Sequence, residues 1–125
     1  MVLGVKIRNN EDGLFRLKDG RFSKNGKTYS TLGFAKSSIT NDIGWCRINK
    51  VLLNCDFVIF NDDGTIQTIP VKTHMIDYFE RELKRKQKQK ASYDEEGFAT
   101  KHIDDCISKI NCLLDYLRKE GIENE

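Results

Sequence analysis

Along the first 32 positions, apolar and polar residues alternate in short bursts broken by turn residues. Residues 4–9 (GVKIRN) put Val5 and Ile7 on one side and Lys6 and Arg8 on the other, the period of two that marks a half-buried strand. Residues 10–13 (NEDG) supply a turn and residues 14–17 a return strand. Further turns at 18–20 and 24–26 bracket short strands at 21–23 and 27–31, so a small antiparallel meander is expected.

The period changes at Leu32. Leu32, Ala35, Lys36 and Ile39 fall at helical spacing, Ser30 or Thr31 can cap the start, and residues 41–44 (NDIG) can stop it, which predicts a short helix. Residues 45–54 (WCRINKVLLN) fit helix or strand equally. Residues 56–60 (DFVIF) form a continuous apolar run of strand length, residues 61–64 (NDDG) a turn, and residues 65–69 (TIQTI) alternate again. A hairpin is expected there, ended by Pro70, which has no N–H to give to a ladder.

The last third is helical in pattern. Met75, Ile76, Phe79 and Leu83 form an apolar stripe that runs into the polar stretch 84–90. Ser92 and Glu95 stand at capping-box spacing and predict the start of a second helix. Its apolar face is Ile103, Cys106, Ile107, Ile110, Leu113, Leu114 and Leu117, its expected end is Gly121, and residues 121–125 should fray. The sum is an α+β fold, with a small antiparallel sheet (the N-terminal meander plus a hairpin near 56–69), a short helix and two C-terminal helices. A single domain over 1–125 is expected, mainly β with one short helix over 1–70 and a helical hairpin over 72–120.

Composition narrows the function classes. A chain of 125 residues buries roughly two thirds of its unfolded surface on folding, enough for a core without metal or disulfide. Apolar runs stay well below the ~18–20 residues of a membrane span, and residues 1–5 lack the basic start and long apolar stretch of a signal peptide, so no membrane and a cytosolic location are expected. The four cysteines (Cys46, Cys55, Cys106, Cys112) include no Cys-x-x-Cys pair and read as buried or half-buried apolar residues. The net charge of +2 conceals a gradient. Residues 1–60 hold ten Lys or Arg against five Asp or Glu, and residues 93–125 hold four against nine. Such polarity suits either self-complementary packing or a surface aimed at an anionic partner.

Chemical motifs are sparse. Gly20 and Gly26-Lys27-Thr28 imitate a phosphate-binding loop but enclose five residues where the loop needs four, between short strands instead of a buried strand and a helix. A turn between strands is the expectation. His74 and His102 lie near helix starts without a partner at metal-ligand spacing, and Asn61-Asp62-Asp63-Gly64 lacks both the opening acid and the closing glutamate of a calcium loop. Asp94, Glu95, Glu96, Asp104 and Asp105 read as charges at helix N-termini. With no nucleophile beside a base, neither catalysis nor a cofactor is expected. The strand–turn–strand opening resembles only the first half of the GIY-YIG nuclease pattern, since residues 14–17 carry neither its tyrosine nor its glycine.

Two basic groupings stand out. Arg81, Lys84, Arg85 and Lys88 recur at i, i+3, i+4 and i+7 and form a stripe on a helix, flanked by Lys86 and Lys90. In the N-terminal meander Lys6, Arg8, Arg16, Arg21, Lys24 and Lys27 interleave with Phe15, Phe22 and Tyr29, a composition that can track phosphates and stack bases.

A wider pattern embraces the meander: Val5-Lys6-Ile7-Arg8-Asn9, then Gly13-Leu14-Phe15, then Phe22-Ser23-Lys24-x-Gly26-Lys27-x-Tyr29-x-x-Leu32-Gly33-x-x-Lys36. It resembles a family of small bacteriophage proteins of uncharacterised function over roughly residues 4–70, departing at Phe34 and Ser38 and not extending into the helical tail. The resemblance implies a phage origin and the host cytoplasm, and no activity. Small phage proteins without a catalytic motif commonly bind a host component, so the expectation is an interaction protein acting on a host protein, as in host takeover or anti-defence. Its candidate contacts are Arg81, Lys84, Arg85, Lys88, Lys24 and Lys27. The alternative expectation is nucleic-acid binding through the basic helix 81–90 and the basic N-terminal sheet, and the face from Ile103 to Leu117 would equally serve a homodimer.

Overall fold

The computed structural model describes residues 1–43 and 49–123. Among these, five strands form one antiparallel sheet of order β3-β2-β1-β4-β5, in an α+β architecture. Strand β1 (Val2–Asn9) is the hub. It pairs with β4 (Cys55–Asn61) along nearly its whole length, with Ile7 opposite Phe57 and Val5 opposite Ile59. β5 (Ile66–Pro70) returns along β4 through the Asn61–Gly64 turn, as the alternation predicts.

The meander is shorter than its sequence pattern. β2 (Phe15–Arg16) and β3 (Phe22–Ser23) span two residues each, and residues 27–31 form no strand of their own. Instead Tyr29 exchanges both backbone hydrogen bonds with Val5, at 2.8 Å each, so this stretch fills the length of β1 that β2 leaves unpaired. The turn chemistry is right in kind, but β1 already offers the longer ladder, and the short strands take what edge remains.

Helix α1 (Leu32–Ile43) starts at Thr31, whose hydroxyl accepts from the Phe34 N–H at 3.1 Å. It buries Ala35, Ile39 and Ile43 at every fourth position. Of the ambiguous stretch 45–54, residues 45–48 lie outside the described residues. Asn49 then caps a single helical turn, α2 (Lys50–Leu53), by accepting from the Leu52 N–H, and Cys55 opens β4.

The C-terminal helices divide at a different place from the expected one: the first is longer, and the second starts later. α3 (Val71–Glu96) begins directly after Pro70 and continues through Ser92 and Glu95, which are exposed helix residues and not a capping box. It stops at Gly97, where φ is +79°. There the Phe98 N–H reaches the Tyr93 carbonyl at 2.9 Å and the Gly97 N–H reaches that of Asp94 at 3.2 Å, while the Phe98 and Tyr93 rings meet edge to face at 5.8 Å. These two bonds and the ring contact are the signature of a glycine-terminated helix, which only a residue free to adopt left-handed φ closes without strain. α4 (Lys101–Glu123) runs past Gly121, which does not end it. Lys90 to Asp104 (2.7 Å) and Glu80 to Arg118 (3.7 Å) tie α3 to α4 in antiparallel order.

The chain divides into two compact units, one of residues 1–43 and 49–74 and the other of residues 75–123, with the division inside α3. In the first, Val5, Ile7, Cys55, Phe57 and Ile59 are buried on one face of the sheet. In the second, Met75 and Phe79 of α3 and Ile103, Ile110, Leu114 and Leu117 of α4 are buried. Cys106, Ile107 and Leu113 on the same face of α4 are half-buried.

Candidate functional site

Strand parity sorts the basic and aromatic residues of the meander onto two faces. Arg16 of β2 is buried and its guanidinium donates to Asp42 of α1 at 2.5 Å, which places α1 on the Arg16 side of the sheet. Phe15 points to the other side. It stands opposite Arg8, and Phe60 of β4 stands opposite Gly4. The face away from α1 therefore carries Phe15, Lys6, Arg8, Phe60, Ile66 and Thr68, with Val58 buried among its neighbours in the centre.

Lys6 lies between two aromatic rings of that face. Its ammonium lies 5.0 Å from the Phe15 ring centroid and 5.9 Å from that of Phe60. Each such contact is worth about 0.5–1 kcal/mol where solvent reaches it. Arg8 beside it pairs with Asp56 at 3.5 Å across the strands, so of the two cations only Lys6 lacks a carboxylate partner among the described residues.

Two hollows open at the ends of the same strip. One, of about 240 Å³, is lined by Leu3, Gly4, Lys6, Thr28 and Phe60. The other, wider and about 670 Å³, is lined by Leu17, Lys18, Asp19, Arg21, Gly26 and Lys27. Phe15 lies between them, and Gly26 presses on it so closely that a Cβ there would come within 2.3 Å of the Phe15 Cβ. Gly26 has φ of +64°, its N–H donates to Ser23, and the Lys27 N–H donates to the Arg16 carbonyl at 3.0 Å. The stretch that imitates a phosphate loop is therefore a turn against an aromatic ring, with no helix opening behind Lys27.

The charges of the second hollow are partly cancelled. Asp19 accepts from Arg21 through both backbone and side chain, which holds its carboxyl below the ordinary value. Lys18 and Lys27 have no carboxylate partner among the described residues and are exposed, as is Lys24. A third pocket of about 270 Å³ is lined by Arg16, Asp42, Asn49 and Val51 among others; Asp42 pairs with Nη2 of Arg16 there, while Arg16 Nη1 is buried with no hydrogen-bond partner among the described residues.

The helical stripe is less basic than its spacing suggests. Arg81 is bound to Asp77 and Arg85 to Glu82 on the same helix, and Glu82 raises the Arg85 pKa by hydrogen bonding to it. Lys90 is held by Asp104. Lys84 and Lys88 are exposed and have no ion-pair partner among the described residues. Lys24 and Lys27 belong to the first compact unit and the stripe to the second.

Phe60, Gly4 and Thr28 are the residues that sequence reasoning did not single out. Phe60 reads locally as one more apolar position of a buried strand; only its register against Gly4 turns it toward Lys6. Of the cysteines, Cys55 is buried, Cys106 half-buried, and Cys112 exposed, which corrects the expectation for Cys112; Cys46 lies outside the described residues. His74 is half-buried with its ring 6.1 Å from that of Phe57, and His102 is exposed. Among the described residues no group of three or more His, Cys, Asp or Glu could hold a metal ion, and no helix is long and apolar enough to cross a membrane.

A cation poised between two aromatic rings on an open sheet can exchange partners. Stacking of a planar ring on an aromatic side chain is worth about 1–3 kcal/mol, more than the lysine contact it would displace, and the released ammonium is then available to an anion. No family model, curated protein or solved structure matches the chain.

Proposed function

We propose that the protein acts by binding rather than by catalysis, and that its ligand is nucleic acid held on the sheet face away from α1. The observation that carries this reading is the Lys6 ammonium between the Phe15 and Phe60 rings. Aromatic rings on an open sheet accept bases, and lysines along the same strip meet phosphates. Lys6, Lys18 and Lys27 supply that charge; Lys24 adds to it at the rim. A bacteriophage origin, with action in the host cytoplasm, belongs to the same proposal.

Binding of fluorescent single- and double-stranded oligonucleotides across a salt series tests it. The logarithm of affinity should fall linearly with that of salt, and Lys6→Gln and Lys27→Gln should each reduce the slope by roughly 0.7–0.9. No binding at low salt would reject the reading.

A second reading, a host-protein partner in host takeover or anti-defence, is favoured by the alternating charges of α3. Arg81 and Arg85 are matched by Asp77 and Glu82, so the exposed side of the helix is mixed in sign, as suits a protein surface better than a phosphate backbone. Under this reading Lys84→Glu with Lys88→Glu should abolish partner capture, with thermal melting confirming that the variant is folded.

A further inference from the structure

Resting on the nucleic-acid reading, we infer that the hollow over Gly4 seats one unpaired base, so that the ligand is single-stranded. Its floor is backbone. Gly4 is buried and carries no side chain, and the Thr28 methyl lies so close that a Cβ on Gly4 would approach it to 2.5 Å. One wall is the half-buried Phe60 ring, directly across the β1–β4 ladder from Gly4. Lys6 stands at the rim, its ammonium 5.9 Å from that ring.

Size and chemistry agree on the occupant. At about 240 Å³ the hollow is smaller than the ~300–1,000 Å³ of sites that enclose drug-sized ligands, which leaves room for one ring system and not for several. Its lining of Leu3, Gly4, Thr28 and Phe60 carries no formal charge, and its single charged neighbour is a lysine. A flat, apolar slot with a cation at its edge matches a base attached to a phosphate. Bases within a duplex are stacked on one another and cannot enter, whereas an unpaired base can be splayed out onto the ring.

The wider hollow beyond Phe15 lies in the direction of Lys18 and Lys27. It is placed to receive the backbone that leaves the seat. Lys6, displaced from its rings by the incoming base, turns to the adjoining phosphate.

The test compares the full chain with three labelled 12-mers of equal length: oligothymidylate, the corresponding duplex, and an abasic sugar–phosphate strand. Oligothymidylate should bind about 5- to 150-fold more tightly than the abasic strand, the range for one stacked base. Phe60→Ala should remove that preference, weakening oligothymidylate far more than the abasic strand. Phe60→Leu, which retains bulk and so protects the fold, should do the same, with thermal melting confirming that each variant is folded. Equal affinity for the abasic strand, equal affinity for the duplex, or a base preference that survives in both Phe60 variants would overturn the seat while leaving nucleic-acid binding in place. Failure of every strand to bind at low salt would instead remove the reading on which the seat rests.

Discussion

Burial sets the chemistry of individual side chains here. Cys55 is buried and its thiol donates to the Val51 carbonyl at 3.1 Å, and burial pushes its pKa up to about 11. The thiolate is the reactive species, so at pH 7.5 a haloacetamide should modify the exposed Cys112 well before Cys55, with peptide mass spectrometry reporting the order. Arg16 and Asp42 make an ion pair buried on the arginine side only, with side-chain exposures of 7% and 45%. Asp42→Ala strands the guanidinium and should cost about 2 kcal/mol in denaturant unfolding, below the ~3–5 of a fully buried pair because Asp42 is half exposed. Pairing Asp42→Ala with Arg16→Met should recover most of that loss. At the surface, a hydrogen bond from Lys90 holds the Asp104 carboxyl below its ordinary value of 3.8. A depressed carboxyl pKa stabilises above the unfolded value and loses that contribution as pH falls through the folded one. Lys90→Gln should therefore raise the Asp104 titration midpoint seen by NMR and leave stability near pH 7 almost unchanged. Nothing in the local sequence reveals which cysteine or arginine is buried, since burial depends on what packs above each position.

At the scale of elements, periodicity was legible and boundaries were not. The alternation of residues 4–9, the hairpin around Asn61 to Gly64, and the stripe of α4 all correspond to real elements. The capping-box spacing of Ser92 and Glu95 misled because α3 gains more by continuing. Its terminus is decided by Gly97 and the two backbone bonds behind it, a signal readable as a lone glycine just before Phe98 and Ala99. Gly97→Ala should cost about 1–2 kcal/mol, the penalty of left-handed backbone in a residue with a Cβ, and thermal melting checks this. Gly26→Ala should cost more, because a Cβ would meet the Phe15 Cβ as well as inherit a φ of +64°.

At the scale of the whole molecule, the sheet order makes the face. Phe57 lies fully buried at the centre of β4, between β1 and β5, and Phe57→Ala should destabilise by about 3–5 kcal/mol. Sequence alone determined the class of fold, the existence of most elements, the apolar sets that fill the core and the absence of familiar catalytic motifs, because these follow from local periodicity and composition. Tertiary structure decided the rest. The register of β1 against β4 brought Phe60 to Lys6, the short β2 carried Phe15 to the same place, and the acids at 77 and 82 neutralised half of a stripe that spacing made look wholly basic. Each depends on which residues meet across a ladder or a helix turn, and pairing between distant segments leaves no mark in the pattern of either one.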